Sequence, residues 1–511
     1  MFPSVFQRKL KARFLHRQWL YVAFFAMLTW CLSGVLHPLM SAVGIQQTVF
    51  SPPTALMELA DTRSIKSILQ TAHIEQPLAV QVLPYAGQPV LQVSTDALAP
   101  RRYFNLQTGV EIPDQDMRQA EFAVQHYMGL KPTDHPAKVS FQQTFDTAYP
   151  AVNRLLPVYK LEYPNVNGLV AYVYTENNSL ASVSNTPKRI MQTTFQWLHT
   201  WSWLPEWLEP LRLVIVGLCM LSLLIMALTG LRMLLGQPQR AVVSKRPWPR
   251  RVHRAAGWLL VVPLVAWSGS GVFHLINQRL HPAEFNLHLS PPLNLALLQH
   301  DIQSHWVEDT RGLSLAGLSL VQTPQGELLY RLGMTLVSTS QAVPVLPDAI
   351  RNARFDGVTI SGPALYVNAT TGAAWLPGDR ELAIQLAQRF IGNPTATPES
   401  VHLINRFGGD YDFRNKRLPV WKVQYGEPLN KTLFIDTRNG VLADVARHSD
   451  RPERWSFSNL HKWNFIQPLG RSFQNWGTAV TALLMVIFLA GLGLLKLRKR
   501  SITTRSSHAS P

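Results

Sequence analysis

His16-Arg17-Gln18-Trp19-Leu20, running on through Trp30 and Ser33-Gly34 to His37, is the stretch that decides the fold, because it occurs twice. The second copy is His253-Arg254-Ala255-Ala256-Gly257, followed by Trp267, Ser270-Gly271 and His274. Both histidines, the Arg, the Trp and the Ser-Gly pair recur at a constant offset of 237, without gaps. Each copy is 22 residues long and apolar between its terminal histidines. Twenty-one helical steps rise about 31 Å, close to the hydrocarbon thickness of a bilayer, and return to within roughly 60° of the starting direction. The two histidines of a copy therefore share a face, one at each membrane boundary. Ionisable groups beside a span are costly and tend to face the bundle interior, which makes them functional candidates. Two such helices supply His16 with His253 on one side, and His37 with His274 on the other. Facing imidazoles are what a haem iron takes as axial ligands. Anchoring among headgroups would explain one boundary histidine, but it requires no fixed spacing.

Four stretches lack any Asp, Glu, Lys or Arg over a membrane length: 18–43, 213–231, 255–278 and 472–495. They predict four transmembrane helices. Residues 1–18, 232–254 and 496–511 hold seventeen cations and no acid, equal to the whole formal excess of +17. The positive-inside rule then puts both termini and the basic loop in the cytoplasm. The high pI is a topology signal, and nucleic acid is not called for. The first span exceeds a signal-peptide core and lacks a clean small-x-small cleavage site, so a retained helix is expected. Cys31 and Cys219 are the only cysteines and lie in spans, offering neither a disulfide framework nor a Cys-x-x-Cys-His haem attachment site.

The expected division is 1–43 (cytoplasmic N-terminus and first helix), 44–205 (exported), 209–235 (second helix) and 236–254 (basic loop). It continues with 255–278 (third helix), 279–470 (exported), 472–496 (fourth helix) and 497–511 (cytoplasmic tail). Within the first exported region, Tyr103–Gly109 reads as a strand and turn. Residues 116–129 read as a helix burying Met117, Ala120, Val124 and Tyr127. Residues 156–163, 168–174 and 180–183 read as strands. The second region repeats this at offsets of 262–263: Tyr366–Gly372, the helix 379–392, Leu418–Tyr425 and Thr432–Gly440. The change of offset implies about 25 additional residues in the second copy, expected within 280–345. Leu198-His199-Thr200-Trp201 likewise matches Leu460-His461-Lys462-Trp463, each ahead of a span. The fold class expected is membrane α-helical: four transmembrane helices in two tandem parallel repeats, with two exported α+β domains. Tryptophans near His199 and His461 suit an interfacial belt, which does not explain why a histidine recurs at the same point of both.

These motifs resemble the PepSY-associated transmembrane family of bacterial inner-membrane proteins. His-Arg opens the first and third spans, Leu-His precedes the second and fourth, and Ala227-Leu-Thr-Gly230 is similar to the family's Thr-Gly helix endings. The run from Leu418 to Gly440 looks like a PepSY domain core. The resemblance covers most of the chain, with 44–100 and 280–345 contributing little. It implies a multi-pass protein of the inner membrane carrying two haem b groups, or three. As in the family's ferric-siderophore reductases, electrons would pass across the lipid bilayer to a ferric chelate in the periplasm. The chain departs from the family pattern in having His37 and His274 at the outer ends of its spans. His16 and His253 are expected to hold the inner haem, and two of His37, His199, His274 and His461 the outer one. Arg17 and Arg254 would pair with propionates or serve as positive-inside anchors. No Gly-x-Gly-x-x-Gly follows a strand, so a separate electron donor is expected, quinol or a cytoplasmic reductase. No residue is assigned a catalytic role. PepSY units also occur in proteins that bind or restrain proteases, which makes a non-catalytic envelope regulator the alternative. A transporter is disfavoured, because four spans without acidic residues offer a thin path.

Overall fold

The computed structural model describes every residue except 1–4, 54–55, 58–61, 87, 237–247, 303–305, 307–312, 337–356, 359–361 and 508–511. Part of the expected basic loop, 237–247, therefore lies outside the described residues. The chain forms two compact units, one of residues 1–44, 187–282 and 450–511, the other of 45–186 and 283–449. In chain order the principal helices are α1 (Val5–Gln18), α2 (Leu20–Val43), α3 (Gln115–Met128), α4 (Thr186–His199), α5 (Glu209–Leu235), α6 (Trp248–Leu280), α7 (Gly378–Ile391) and α8 (Arg471–Ser507).

The first unit is helical. Four stretches are long and apolar enough to cross a membrane: Leu20–Met40, Glu209–Leu235, Trp248–Leu280 and Ser472–Gly491. α5 lies along α6 and α8 along α2, while contacts of α2 with α5 and of α6 with α8 close the ring. Small residues set the approach. A Cβ on Gly34 would meet Ala482 at 3.6 Å, and one on Gly271 would meet the Met220 sulfur at 3.3 Å. Hydroxyls of Thr29, Ser222, Ser268 and Thr481 donate to carbonyls three or four residues earlier, so these polar groups are satisfied within their own helices. Pro263 sits inside α6, which continues through it. Residues 187–205 and 450–470, expected as the ends of the exported regions, belong to the helical unit by packing.

The second unit is α+β. Its first half supplies β1 (Ala79–Tyr85), β2 (Gln88–Ser94), β3 (Arg102–Asn105), β4 (Lys138–Gln142), β5 (Val158–Tyr163), β6 (Leu169–Tyr174) and β7 (Ser179–Ser184). The second half supplies β8 (Phe285–His288), β9 (Leu313–Gln322), β10 (Leu328–Leu336), β11 (Ala364–Asn368), β12 (Ser400–Ile404), β13 (Val420–Tyr425), β14 (Lys431–Asp436) and β15 (Val441–Arg447). One sheet runs β4-β5-β6-β7 and another β12-β13-β14-β15-β8. Both are antiparallel, with a register shift at Tyr172/Val173 in the first and at Phe434/Ile435 in the second. α3 covers the first sheet with Ala120, Ala123, Val124 and Tyr127 against Leu161, Ala171 and Val173. α7 covers the second with Leu382, Ala383, Leu386 and Ala387 against Val423, Leu433 and Ile435. Met117, expected in the core, is instead 37% exposed, and Ala123 completes the buried face. Alanines there let the helix lie close on the sheet, and the large apolar side chains beneath contribute roughly 1.5–3 kcal/mol each.

The third sheet, β11-β10-β9-β1-β2-β3, joins the halves through β1 and β9, with Val80 opposite Leu320. It accounts for much of 79–105 and 313–336, the stretches least readable as sequence. It also relocates the additional residues of the second half. β2 and β10 still start 240 residues apart, whereas β3 and β11 start 262 apart. The extra chain thus lies between Leu336 and Ala364, where the first half has only 95–101.

Candidate functional site

The helical unit brings histidines together in two places. His16, at the end of α1, faces His253, in the second turn of α6, with ring centres 6.3 Å apart and planes at 74°. His199, at the end of α4, faces His461 with ring centres 6.4 Å apart and planes at 83°. A metal ion lies about 2 Å from each coordinating imidazole nitrogen, so two ring centres across one iron stand roughly 6 Å apart. Both pairs have that separation.

Hydroxyls lie against Nδ1 on three of these rings. Ser33 Oγ is 2.9 Å from the Trp30 carbonyl and 2.9 Å from His199 Nδ1. Ser270 Oγ is 3.2 Å from the Trp267 carbonyl and from His461 Nδ1. Thr229 Oγ1 is 2.6 Å from the Ile225 carbonyl and 3.1 Å from His16 Nδ1. A ring whose Nδ1–H donates to such a hydroxyl keeps Nε2 bare, the tautomer that binds a metal. A Cβ on Gly230 would stand 3.5 Å from His16 Cε1, so the Thr-Gly ending of α5 also makes room for the ring. His253 packs on Phe488, ring centres 5.5 Å apart.

The recurring tryptophans hold the second pair. Trp30 stacks on Trp201 at 6.3 Å and donates Nε1–H to the His199 carbonyl at 2.9 Å. Trp267 stacks on Trp463 at 5.4 Å. Burial first, and then His461 and His37, push the His199 imidazole down to about 3. Burial and His274 push His461 down to about 4. Both rings are thus neutral at physiological pH, the form that ligates.

His37 and His274 take different places. His37 meets Phe195 at 6.2 Å, and Phe195 stacks on His199 at 4.6 Å. His274 stacks on Phe457 at 3.9 Å, and Phe457 on His461 at 4.8 Å. His274 Nδ1 also bonds the buried Glu453 carboxylate. Phe195 and Phe457, four residues before His199 and His461, thus each touch both the nearer paired histidine and the histidine of the adjoining span. Arg17 is exposed and Arg254 half-buried, each one residue past its histidine. Among the described residues no group of three or more His, Cys, Asp or Glu side chains is placed to hold a metal ion. Ser33 and Ser270 are the residues beside the second pair that sequence reasoning did not single out. Their recurrence beside Gly34 and Gly271 was the visible signal.

Buried charge in the α+β unit does other work. Arg417, 1% exposed, donates to Glu176 at 2.9 Å and to Asp436 at 3.1 Å. Asp379 accepts from Tyr366 at 2.5 Å, Thr437 at 2.7 Å and Trp421 at 2.6 Å. His288, which follows α6, lies 3.3 Å from Glu176. No family model matches the chain, and no curated protein matches it either.

Proposed function

We propose that the chain is a b-type haem protein of the bacterial inner membrane that passes electrons across the bilayer to a periplasmic ferric chelate. The observation that carries this reading is the pair of 6.3 and 6.4 Å imidazole separations, with Nδ1 of three of the four rings against a hydroxyl. His16 with His253 would hold one haem at the cytoplasmic side, and His199 with His461 one at the periplasmic side. Bound there, haem supplies reversible one-electron transfer between ferric and ferrous states. The chain's own part is to fix ring tautomer and orientation through Thr229, Ser33 and Ser270. Its apolar helices keep water from the path, and its imidazoles stay neutral. His16 and Ser33 are about 25 Å apart along the helix rise, so the two sites stand at opposite ends of the spans. Quinol or a cytoplasmic reductase gives up the electrons, and each electron delivered converts one ferric chelate to ferrous. Both termini lie in the cytoplasm on this reading, in keeping with the basic flanks. The matching strand order and register shift of the two smaller sheets support two PepSY-like domains related by duplication.

The test is haem content per chain in single alanine variants purified in detergent. His199→Ala or His461→Ala is expected to lose one haem and keep the other, and His16→Ala or His253→Ala the converse. A colourless wild-type protein that co-purifies with a peptidase would return the chain to the regulator class.

A further inference from the structure

The α+β unit contains a half-open cleft of about 70 Å³ between its two halves. Three cations, Lys416, Arg417 and Arg438, line it against one acid, Asp436. The acid is already satisfied. Asp436 accepts Arg417 Nη1–H at 3.1 Å on one oxygen and the Arg438 backbone N–H at 3.0 Å on the other. Arg417 is likewise consumed, its remaining N–H groups going to Glu176 and to Asn286 at 2.8 Å. Arg438 differs. Among the described residues its guanidinium makes no hydrogen bond or ion pair, although it lies among Asp436, Asp379, Arg331 and Arg417. Burial and those two guanidiniums disfavour its charge and hold its pKa below the usual arginine value, despite Asp436 and Asp379. An anion would supply what the site lacks.

A second group in the same cleft asks for a donor. Asn177, 7% exposed, gives Nδ2–H to the Lys416 carbonyl at 3.1 Å. Its Oδ1 is buried and accepts nothing among the described residues. Flipping the amide would set two oxygens against each other, so the orientation is fixed. A buried acceptor without a partner is costly and uncommon. One ligand group that answers both needs carries a negative charge for Arg438 and an adjacent O–H for Asn177. The volume suits a carboxylate with its neighbouring hydroxyl, at about 10–15 Å³ per water-sized probe, and not an entire chelate.

The geometry points to this cleft as a binding site for a hydroxycarboxylate arm, with Arg438 recognising the carboxylate and Asn177 the hydroxyl. Hydroxycarboxylates bind ferric iron through hard oxygen donors. The inference therefore rests on the ferric-chelate reading for its biological ligand and names polycarboxylate chelates as the substrate class. Binding itself does not depend on haem.

The experiment is calorimetric titration of full-length protein in detergent with citrate, ferric citrate and tricarballylate, which has the three carboxylates of citrate but no hydroxyl. Wild type is expected to bind citrate and its ferric complex, and tricarballylate several-fold more weakly. Arg438→Ala is expected to lose about tenfold or more in affinity for both citrate forms, Arg438→Lys less, and the exposed Arg389→Ala nothing. Asn177→Leu should erase the difference between citrate and tricarballylate. The ligand exchange on wild type tests the hydroxyl without any variant. Absence of citrate binding, or equal binding by wild type and Arg438→Ala, would overturn the site. Citrate binding that depends on Arg438 in a protein without haem would keep the cleft and remove the electron-transfer reading. Haem-replete protein that reduces ferric citrate equally well in wild type and Arg438→Ala would do the reverse.

Discussion

The two histidine pairs reach nearly the same separation by different means. His16 lies at the end of α1, just ahead of the first span, and against the Thr229 hydroxyl, whereas His253 sits in the second turn of α6 and packs on Phe488. His199 and His461 come from segments ahead of the spans, and each is tied to a serine of a span, Ser33 or Ser270. Stacked tryptophans and flanking phenylalanines complete the second enclosure. The first pair has a hydroxyl beside one ring and an aromatic ring beside the other. The second has a hydroxyl from a span beside each ring and an aromatic clamp. The difference shows that a histidine ahead of a span can be tied to it through a side chain the span supplies.

The largest expected effect is loss of a whole site when a paired histidine is removed, which divides the four rings two against two. Next comes the second shell. The double variant Ser33→Ala/Ser270→Ala should weaken haem retention at the second site by about 10–100-fold and leave the first unchanged. Thr229→Ala should weaken only the first. Stepwise haem extraction by apomyoglobin, followed optically, reads both. Equal loss at both sites from either change would collapse the distinction between the pairs.

The α+β unit provides a contrast, since there buried charge holds structure together. Burial alone would raise the Glu176 carboxyl, yet Arg417 and then His288 hold it well below the usual glutamate range. Between its folded and unfolded pKa values the unfolded chain binds more protons, so stability rises with pH across that window. This contribution is complete above the ordinary glutamate range and is lost as pH falls through the depressed folded value. Thermal melts of wild type should therefore decline below about pH 4.5 more steeply than those of Glu176→Gln. Parallel profiles would mean that Glu176 is not held ionised by Arg417. The haem spectrum of Glu176→Gln should match wild type at neutral pH.

The smallest effect is expected at His37 and His274. Alanine at either should leave haem content intact, because His37 and His274 pack on Phe195 and Phe457 whereas His199 and His461 face each other. Loss of a haem from His37→Ala would put a span histidine back among the ligands.

Much of this was legible in the residues. The four uncharged runs stand out because Lys and Arg gather at their ends. β5 follows from alternation, with Tyr159, Leu161 and Tyr163 on one buried face. The pairing of β1 with β9 was not legible, because it joins Val80 to Leu320 across almost half of the chain and no local period reports it. The position of the additional residues was misjudged for the same reason. The approach of His16 to His253 was expected from the spacing of the repeat. The approach of His199 to His461 was not, because it depends on contacts between Ser33 or Ser270 and segments remote in sequence. Met117 has the right spacing for the core, yet it sits in the first turn of α3 and faces outward.

The most direct test is a dithionite-reduced minus oxidised visible spectrum of detergent-purified protein from haem-replete cells, with haem quantified per chain. The account predicts a b-type α band and two haems per chain. A protein with no Soret band would contradict it, and would leave the paired histidines as membrane-boundary residues of a non-redox protein.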